Sequence, residues 1–289
     1  MCTDDSEIRS TLVDKHICFL GAGAMAEAII KGILAKRVVV PQNLWTVDIS
    51  PERNHRLQVS YGVKAIDPSQ AAAPVSRAEI LVLAVKPQQL LTAASHYRRH
   101  LSSGQTLVSV LAGVSTKTIE SLLPHGVEVV RAMPNTSAAV GSAATAICAG
   151  RSVIGPGLDW AEELFQSVGT VVRVAEEEMD AVTALSGSGP AYIYALVEAM
   201  EQGGVAAGLD ATTARQLTVQ TLLGAARMLQ SATEPAAHLR RQVTSPGGTT
   251  MAGLQVLEQR HFAEMMQEAI LKAAARSRVL AQQAEAASN

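Results

Sequence analysis

Residues 16–35 read HICFLGAGAMAEAIIKGILA, an apolar run that passes through two glycines into a segment with helical periodicity. This order predicts a β-strand, a tight turn and a helix. In the spacing G-x-G-x-x-A, Gly21 permits the turn, Gly23 lets a pyrophosphate approach the backbone, and Ala26 allows the helix to pack closely on the strand. The stretch therefore predicts the first βα unit of a dinucleotide-binding fold.

A second predicted strand, Leu44-Trp45-Thr46-Val47, ends at Asp48, where an acidic side chain meets the adenosine ribose in this type of fold. The charge of Asp48 favours NAD, because it repels the 2′-phosphate of NADP. Ser50, Arg53 and Asn54 follow closely and can hold that phosphate if Asp48 turns aside. The sequence predicts NADPH or NADH and leaves the preference open. An ordinary glycine turn and a solvated carboxylate remain the alternative interpretation.

Further apolar runs recur at the spacing of an α/β fold. Residues 80–85 are continuously apolar, as in a buried parallel strand, and end in Lys86-Pro87, which places Lys86 at the carboxyl edge where ligands bind. Similar runs predict strands at residues 106–110, 127–132, 143–149 and 170–174. Together they predict a Rossmann-type, doubly wound parallel sheet in a domain of residues 16–174, preceded by a polar extension of residues 1–15.

After Glu176-Glu177-Glu178 the chain becomes rich in alanine and helical in period, with no strand-like run. This composition and periodicity predict an all-helical domain of residues 175–289, in which Asp210 caps a helix over residues 211–230. A domain with many small residues and few aromatic ones can complete its core by pairing with a copy of itself. We expect a homodimerisation domain, with a compact monomeric bundle as the alternative.

Composition narrows the class of partner. A net charge of −2 over 289 residues indicates neither a nucleic-acid track nor an anionic membrane surface, so a small molecule fits better. Cys2, Cys18 and Cys148 are too scattered for a disulfide framework or a thiolate metal cluster. His96 and His100 share a helix face, but the arginines between them favour a basic surface over a metal site. With an acidic N-terminus and no long apolar run, we expect a cytoplasmic protein.

Residues 244–250 read Thr-Ser-Pro-Gly-Gly-Thr-Thr and precede a predicted helix. The amides of Gly247, Gly248 and Thr249 would converge at the N-terminus of that helix, an arrangement that binds a carboxylate. Taken alone, a Pro-Gly turn with hydroxyl helix caps explains the loop more simply.

A nicotinamide domain implies hydride transfer, and reduction of a carbonyl needs a proton donor. The Tyr-x-x-x-Lys pair of short-chain dehydrogenases is absent, since Tyr61 precedes Lys64 by only three residues. The helix after Ser186-Gly187-Ser188-Gly189 lacks the lysine that hydroxyacid dehydrogenases place there. A protonated imine is already electrophilic, so it suits this chain better. Loop 244–250 would then hold the substrate, with the Thr250 hydroxyl near nitrogen.

Several motifs in order resemble the pyrroline-5-carboxylate reductase family over residues 17–280. They are Phe19 to Ala26, Ala84-Val85-Lys86-Pro87, Arg131 to Thr136, Asp180 to Tyr192 and Val243 to Leu254. Ser137 stands where the family commonly has proline. The resemblance implies NAD(P)H-dependent reduction of Δ1-pyrroline-5-carboxylate to L-proline by an intertwined dimer, in which each substrate loop meets the partner's cofactor. It leaves open whether such dimers assemble into a higher oligomer. A reductase of another cyclic imine or a hydroxyacid, and a non-catalytic dinucleotide sensor, are the competing hypotheses.

The resemblance also extends the predicted site. It places Lys86, Pro87 and Asn135 along the cofactor cleft and Ala112-Gly113 beneath the nicotinamide. The predicted catalytic residues are Thr250 and Lys86, and the predicted substrate-binding residues are Val243, Ser245, Gly247, Gly248, Thr249 and Thr250. The predicted cofactor-binding residues are Gly21, Gly23, Ala24, Met25, Asp48, Ser50, Arg53, Val85, Lys86, Pro87, Ala112, Gly113 and Asn135.

Overall fold

The computed structural model describes residues 10–288, with side chains through residue 286. Cys2 and residues 1–9 of the predicted extension lie outside the described residues. The described chain forms two compact units. The first contains the residues up to Ser188 together with those from Ala273 onward, and the second is Gly189–Lys272. The domain boundary at residue 174 stays a prediction, since the compact units divide the chain at other positions.

The first unit contains one eight-stranded sheet in the order β3-β2-β1-β4-β5-β6-β7-β8. Its strands are β1 (Ile17–Leu20), β2 (Leu44–Val47), β3 (Lys64–Ile66), β4 (Ile80–Leu83), β5 (Thr106–Ser109), β6 (Glu128–Met133), β7 (Ala143–Ala149) and β8 (Gly169–Arg173). The order reverses between β1 and β4, which confirms the predicted doubly wound topology. Ligands of such sheets bind at this reversal, outside the carboxyl ends of the strands.

One strand pair departs from the predicted parallel arrangement. β7 runs antiparallel to β6, whereas the other neighbouring pairs in the described sheet are parallel. The connection, residues 134–142, is shorter than the roughly dozen residues that a parallel crossover requires. The chain therefore turns back along the sheet.

Helices cover both faces of the sheet, and each face has its own core. In β1, Ile17 and Phe19 join one cluster of buried residues and Cys18 and Leu20 join the other, because successive side chains of a strand point to opposite faces. The helices of this unit are α1 (Ala24–Ala35), α2 (Pro51–Tyr61), α3 (Ala72–Arg77), α4 (Leu90–Tyr97), α5 (Thr116–Leu122), α6 (Gly157–Gln166) and α7 (Met179–Val182). A π-helical turn, Thr183–Gly187, follows α7.

The second unit is helical, as predicted. It contains α8 (Gly189–Ala206), α9 (Ala211–Ser231), α10 (Ala236–Gln242), α11 (Thr249–Gln259) and the start of α12 (Phe262–Ser288). Asp210 is the predicted N-cap of α9, where its side chain accepts hydrogen bonds from the amides of Thr212 and Thr213. A Cβ on Gly204 would lie 3.2 Å from the Cβ of Ala214, so glycine permits the close approach of α8 and α9.

Large apolar side chains remain exposed along this second unit. They include Ile193, Tyr194, Leu217, Met228, Val256 and Leu271. Exposed apolar surface of this extent marks an interaction face. None of the helices in residues 10–288 combines the length and apolar character that crossing a lipid bilayer requires.

Candidate functional site

The first glycine of the turn after β1 is required by its surroundings. Gly21 has a φ of +103°, a left-handed conformation that side chains disfavour, and a Cβ there would lie 2.6 Å from the carbonyl oxygen of Ala84. Its amide donates to the carbonyl of Val47 at 2.8 Å. Gly21 thus holds the ends of β1, β2 and β4 together at the point where the strand order reverses.

The second glycine leaves space instead. Gly23 is the N-cap of α1, with no side-chain cap hydrogen bond, and nothing lies within 4 Å of the position of a Cβ on it. The first-turn amides of a helix have no partners within the helix, and they carry a partial positive charge. The N-terminus of α1 is therefore open to an anionic group.

A cleft of about 810 Å³ lies over this turn, within the usual size range of ligand sites. The predicted cofactor residues that line it are Gly21, Gly23, Ala24, Met25, Asp48, Arg53, Val85 and Lys86. They lie at the carboxyl ends of β1, β2 and β4 or in the first turns of α1 and α2, which supports the predicted edge of the sheet. Lys86 is exposed there, and its amide donates to Oε1 of Gln89 at 3.3 Å.

Asp48 faces the glycine turn and the start of α2. Its Oδ2 accepts from the amide of Ala22 at 2.7 Å, and its Oδ1 accepts from the amide of Ser50 at 2.8 Å. Nη1 of Arg53 lies 3.8 Å from Oδ2, and the Arg53 side chain is 56% exposed. The side-chain amide of Asn54 donates to the carbonyl of Asp48 at 2.9 Å, which uses it to hold the strand end.

Five other predicted cofactor residues do not line this cleft in the part of the chain that the structure describes. They are Ser50, Pro87, Ala112, Gly113 and Asn135.

Asn135 instead joins two segments of the first unit. Its Nδ2 donates to the carbonyl oxygen of Ser186 at 3.2 Å, and its Oδ1 accepts from the amide of Ser137 at 3.2 Å. A proline at position 137 could not make the second bond, because it has no N–H. Serine here therefore adds a hydrogen bond to the turn.

One face of α4 forms a wall of the cleft that the sequence did not predict. Gln89, Thr92, Ala93 and His96 follow the i, i+3, i+4, i+7 spacing of a helix face, which is the signal that could have revealed it. Nε2 of His96 lies 3.1 Å from the carbonyl oxygen of Pro68. Tyr97 also lines the cleft, and burial, with the charges of neighbouring acidic groups, raises the pKa of Tyr97 to about 12.

Loop 244–250 lies in the second unit and joins α10 to α11. Gly248 donates to the carbonyl of Ser245 at 3.1 Å, and Gly247 has a φ of +70° after Pro246, which is the pattern of a type II turn. Gly248 is the N-cap of α11, and no side chain caps this helix. The hydroxyl of Thr244 donates to the carbonyl of Arg240 at 2.6 Å. The loop is thus a Pro-Gly turn without the expected hydroxyl cap, and the first-turn amides of α11 remain open.

Comparison with known proteins extends over most of the chain. A family model described as pyrroline-5-carboxylate reductase dimerisation matches residues 176–280, and one described as NADP oxidoreductase, coenzyme F420-dependent, matches residues 16–113. Pyrroline-5-carboxylate reductase 1 of Bacillus subtilis is 40% identical over 94% of this chain and 91% of its own length. The pyrroline-5-carboxylate reductase of Synechocystis is 42% identical over 90% of this chain and 96% of its own length. This chain belongs to the pyrroline-5-carboxylate reductase family.

Solved structures agree with that membership. The pyrroline-5-carboxylate reductase of Coxiella burnetii superposes with a TM-score of 0.87 at 35% identity, covering 92% of this chain and 98% of its own. The Plasmodium falciparum pyrroline carboxylate reductase, solved with NADP bound, gives 0.82 at 27% identity, covering 93% and 98%. The match to a dimerisation domain indicates self-association, as the exposed apolar side chains of the second unit do.

The residues present fit the nicotinamide dinucleotide of a pyrroline-5-carboxylate reductase. The space in front of Gly23 and the uncapped N-terminus of α1 suit a pyrophosphate, and Asp48 and Arg53, which line the same cleft, carry groups that suit an adenosine ribose and its phosphate. In the described part of the chain, His, Cys, Asp and Glu side chains form no group of three placed to hold a metal ion. Burial raises the pKa of Cys18 to about 12, and burial together with the charge of Glu176 raises the pKa of Cys148 to about 12, so both thiols favour the protonated form at neutral pH.

Proposed function

We propose that this chain reduces the C=N bond of Δ1-pyrroline-5-carboxylate to L-proline, with NADPH or NADH as the hydride donor. The observation that carries the proposal is the open cleft at the strand reversal, with Gly23 and the uncapped N-terminus of α1 inside it. The balanced reaction takes one hydride and one proton, and gives proline and the oxidised cofactor. When bound, the reduced nicotinamide supplies the hydride.

The residues of the first unit hold the cofactor in this proposal. The amides of Gly23, Ala24 and Met25 bind the pyrophosphate, where the helix dipole favours negative charge. Asp48, Ser50 and Arg53 surround the adenosine end. Val85, Lys86, Pro87, Ala112, Gly113 and Asn135 belong to the nicotinamide side of the proposed site. Lys86 is proposed as catalytic, because it carries an exposed charge into the cleft.

Loop 244–250 holds the substrate. The amides of Gly247, Gly248 and Thr249 bind the carboxylate, which the open N-terminus of α11 supports. The Thr250 hydroxyl accepts a hydrogen bond from the protonated ring nitrogen, which fixes the imine carbon for attack. Val243 and Ser245 complete the wall of this subsite. Because the ring nitrogen of the iminium already carries its proton, hydride transfer gives a neutral amine and needs no further proton donor, which agrees with the lack of a lysine on α8.

The active form in this proposal is a homodimer in which each loop meets the cofactor of the partner subunit. The exposed apolar side chains along α8, α9, α11 and α12 supply the interface. We include a cytoplasmic location in the proposal, supported by the two free, buried thiols of Cys18 and Cys148.

The direct test measures consumption of NADPH and of NADH with pyrroline-5-carboxylate, with a six-membered cyclic imine and a β-hydroxyacid couple as comparisons. Thr250→Ala should lower kcat/KM by about tenfold, which corresponds to the loss of one hydrogen bond of about 1.4 kcal/mol. Thr212→Ala, an exposed threonine on α9, is the matched control. Unchanged turnover and substrate affinity in Thr250→Ala would remove Thr250 from the mechanism, and an inactive wild type would overturn the proposed reaction.

A further inference from the structure

The last part of α12 packs on the first unit through a face of small side chains. Ala274 and Ser277 are buried, at 7% and 4% exposure, and Ala281 and Ala284 are partly buried, while the residues between them are exposed. The spacing of 3, 4 and 3 residues places the four on one side of the helix. We call these four residues the docking face of α12. Its small side chains allow close contact with the backbone beneath.

Two contacts fix where the docking face lies. The hydroxyl of Ser277 donates to Oδ1 of Asp180 on α7 at 2.6 Å. At Gly113, a Cβ would lie 3.5 Å from the Cβ of Leu280 and 3.7 Å from the backbone nitrogen of Ala281. Gly113 has a φ of +72°, so the loop that carries it turns sharply directly under the helix.

Two further contacts extend the packing along α5. Ala284 packs against the core cluster that contains Val114 and Ile119, and Nζ of Lys117 lies 3.1 Å from Oε1 of Glu285. The ion pair is well exposed and contributes little by itself. The apolar contact and the close approach at Gly113 therefore dominate the docking.

The loop under the docking face occupies a defined place in the sheet. Residues 110–115 follow the carboxyl end of β5, which pairs with β4 and so lies beside the edge that carries Lys86. A dinucleotide spans the strand reversal of a doubly wound sheet, with one mononucleotide half on each side. Since Asp48 marks the adenosine side at β2, the loop after β5 lies on the nicotinamide side.

We propose that the C-terminal segment of α12, residues 274–284, is a positioning element that holds loop 110–115 in the conformation that receives the nicotinamide. Ser277 and Ala281 are its positioning residues. The assignment of this loop to the nicotinamide side rests on the proposed function. α12 begins in the second unit, and its residues from Ala273 onward, which include the docking face, belong to the first unit.

The experiment compares Ala281→Leu, which enlarges the docking face over Gly113, with Gln282→Leu, which adds the same side chain at an exposed neighbouring position. Two ligands are titrated calorimetrically: the intact reduced cofactor and the matching ADP-ribose fragment, phosphorylated at the 2′ position if NADPH is the cofactor used. The kcat for pyrroline-5-carboxylate is measured on the same preparations. Thermal unfolding and size-exclusion chromatography establish that each variant is folded.

We expect Ala281→Leu to lower kcat about tenfold or more, since small displacements of bound reactants have effects of this size. The Kd of the intact cofactor should rise more than threefold, while the Kd of the fragment stays within about twofold of the control, because only the nicotinamide side is displaced. Equal losses for both ligands, or no loss relative to Gln282→Leu, would overturn the proposal. The binding comparison does not depend on the substrate, so it still decides the matter if pyrroline-5-carboxylate is not reduced.

A milder pair covers the case in which Ala281→Leu does not fold. Ser277→Ala removes the 2.6 Å hydrogen bond to Asp180, whereas Asp180→Asn keeps an acceptor oxygen for Ser277. Ser277→Ala should lower both kcat and the affinity for intact cofactor, as Ala281→Leu does. Asp180→Asn should keep both quantities near their wild-type values. Identical behaviour of Ser277→Ala and the wild type in both measurements would count against the positioning role.

Discussion

Replacing Glu176 by glutamine should destabilise the first unit, because it leaves a buried charge without its partner. Arg131 projects from β6 with only 4% of its side chain exposed, and its Nη1 forms an ion pair with Oε1 of Glu176. Its Nε and Nη2 have no hydrogen-bond partner among the described residues. The glutamine keeps an acceptor for the amide of Thr116, which donates to Oε2 at 3.2 Å. Its single carbonyl oxygen cannot also accept from Nη1 of Arg131, so the substitution removes both the charge and the hydrogen bond that Arg131 donates.

The expected cost follows from the burial of the two partners. Removing one member of a buried ion pair costs about 3–5 kcal/mol, because the remaining charge is desolvated and unpaired. Glu176 is 26% exposed, so water can approach Arg131 once the pair is broken, and we expect a loss of about 3 kcal/mol, at the lower end. A loss of this size is a large fraction of the stability of a typical domain.

Urea unfolding followed by tryptophan fluorescence measures this loss selectively, since Trp45 and Trp160, the two tryptophans of the chain, both lie in the first unit. The control is Asp159→Asn, which removes one carboxylate from the exposed cluster around Arg173 and should cost less than about 1 kcal/mol. A Glu176→Gln variant as stable as this control would refute the reasoning, because Arg131 would then not depend on the Glu176 charge.

Burial alone raises the pKa of Glu176, but the hydrogen bond from Thr116 and the charge of Arg131 outweigh it and lower that pKa. The ionised Glu176 therefore contributes its full stabilisation above the unfolded pKa of about 4.3, and this contribution is lost as pH falls through the lower folded pKa. The difference in the free energy of unfolding between wild type and Glu176→Gln should shrink over that pH range. Gly21→Ala should abolish cofactor-induced thermal stabilisation, because its Cβ would lie 2.6 Å from the Ala84 carbonyl oxygen. Arg53→Ala should lower kcat/KM for NADPH about tenfold more than for NADH, since it removes a cation beside the proposed adenosine end of the cleft.

Local patterns predicted the parts of the fold that depend on neighbouring residues. The strand, glycine turn and helix of residues 16–35 lie where their periodicity placed them, and Asp210 caps α9. The antiparallel course of β7 was missed because its apolar run looks the same in either direction. Only the short connection, residues 134–142, carries that information. The contact of α12 with Gly113 joins residues far apart in sequence, and small side chains on a helix do not reveal what they face.

The candidate site residues also divide into those that local sequence predicts and those that depend on contacts distant in sequence. The sequence identified Gly21, Gly23 and Lys86 because backbone conformation and strand ends are local properties, and all three line the cleft. The face of α4 that carries Thr92 and His96 was missed, because Arg98 and Arg99 favoured an exposed basic surface around His96. That surface faces the cleft only because α4 follows β4, next to the strand reversal.

Asp48 illustrates why a residue type alone does not decide the cofactor. Its charge repels a 2′-phosphate effectively only if the carboxylate is free to face the ligand. Instead, its two oxygens accept from the amides of Ala22 and Ser50, so the carboxylate stabilises the glycine turn and part of its charge is compensated by N–H groups. Arg53 brings a positive charge within 3.8 Å of the same carboxylate. A 2′-phosphate would therefore meet a hydrogen-bonded anion beside an exposed cation. We expect NADPH to be accepted, and the ratio of kcat/KM for NADPH and NADH in Arg53→Ala measures how far that cation decides the choice.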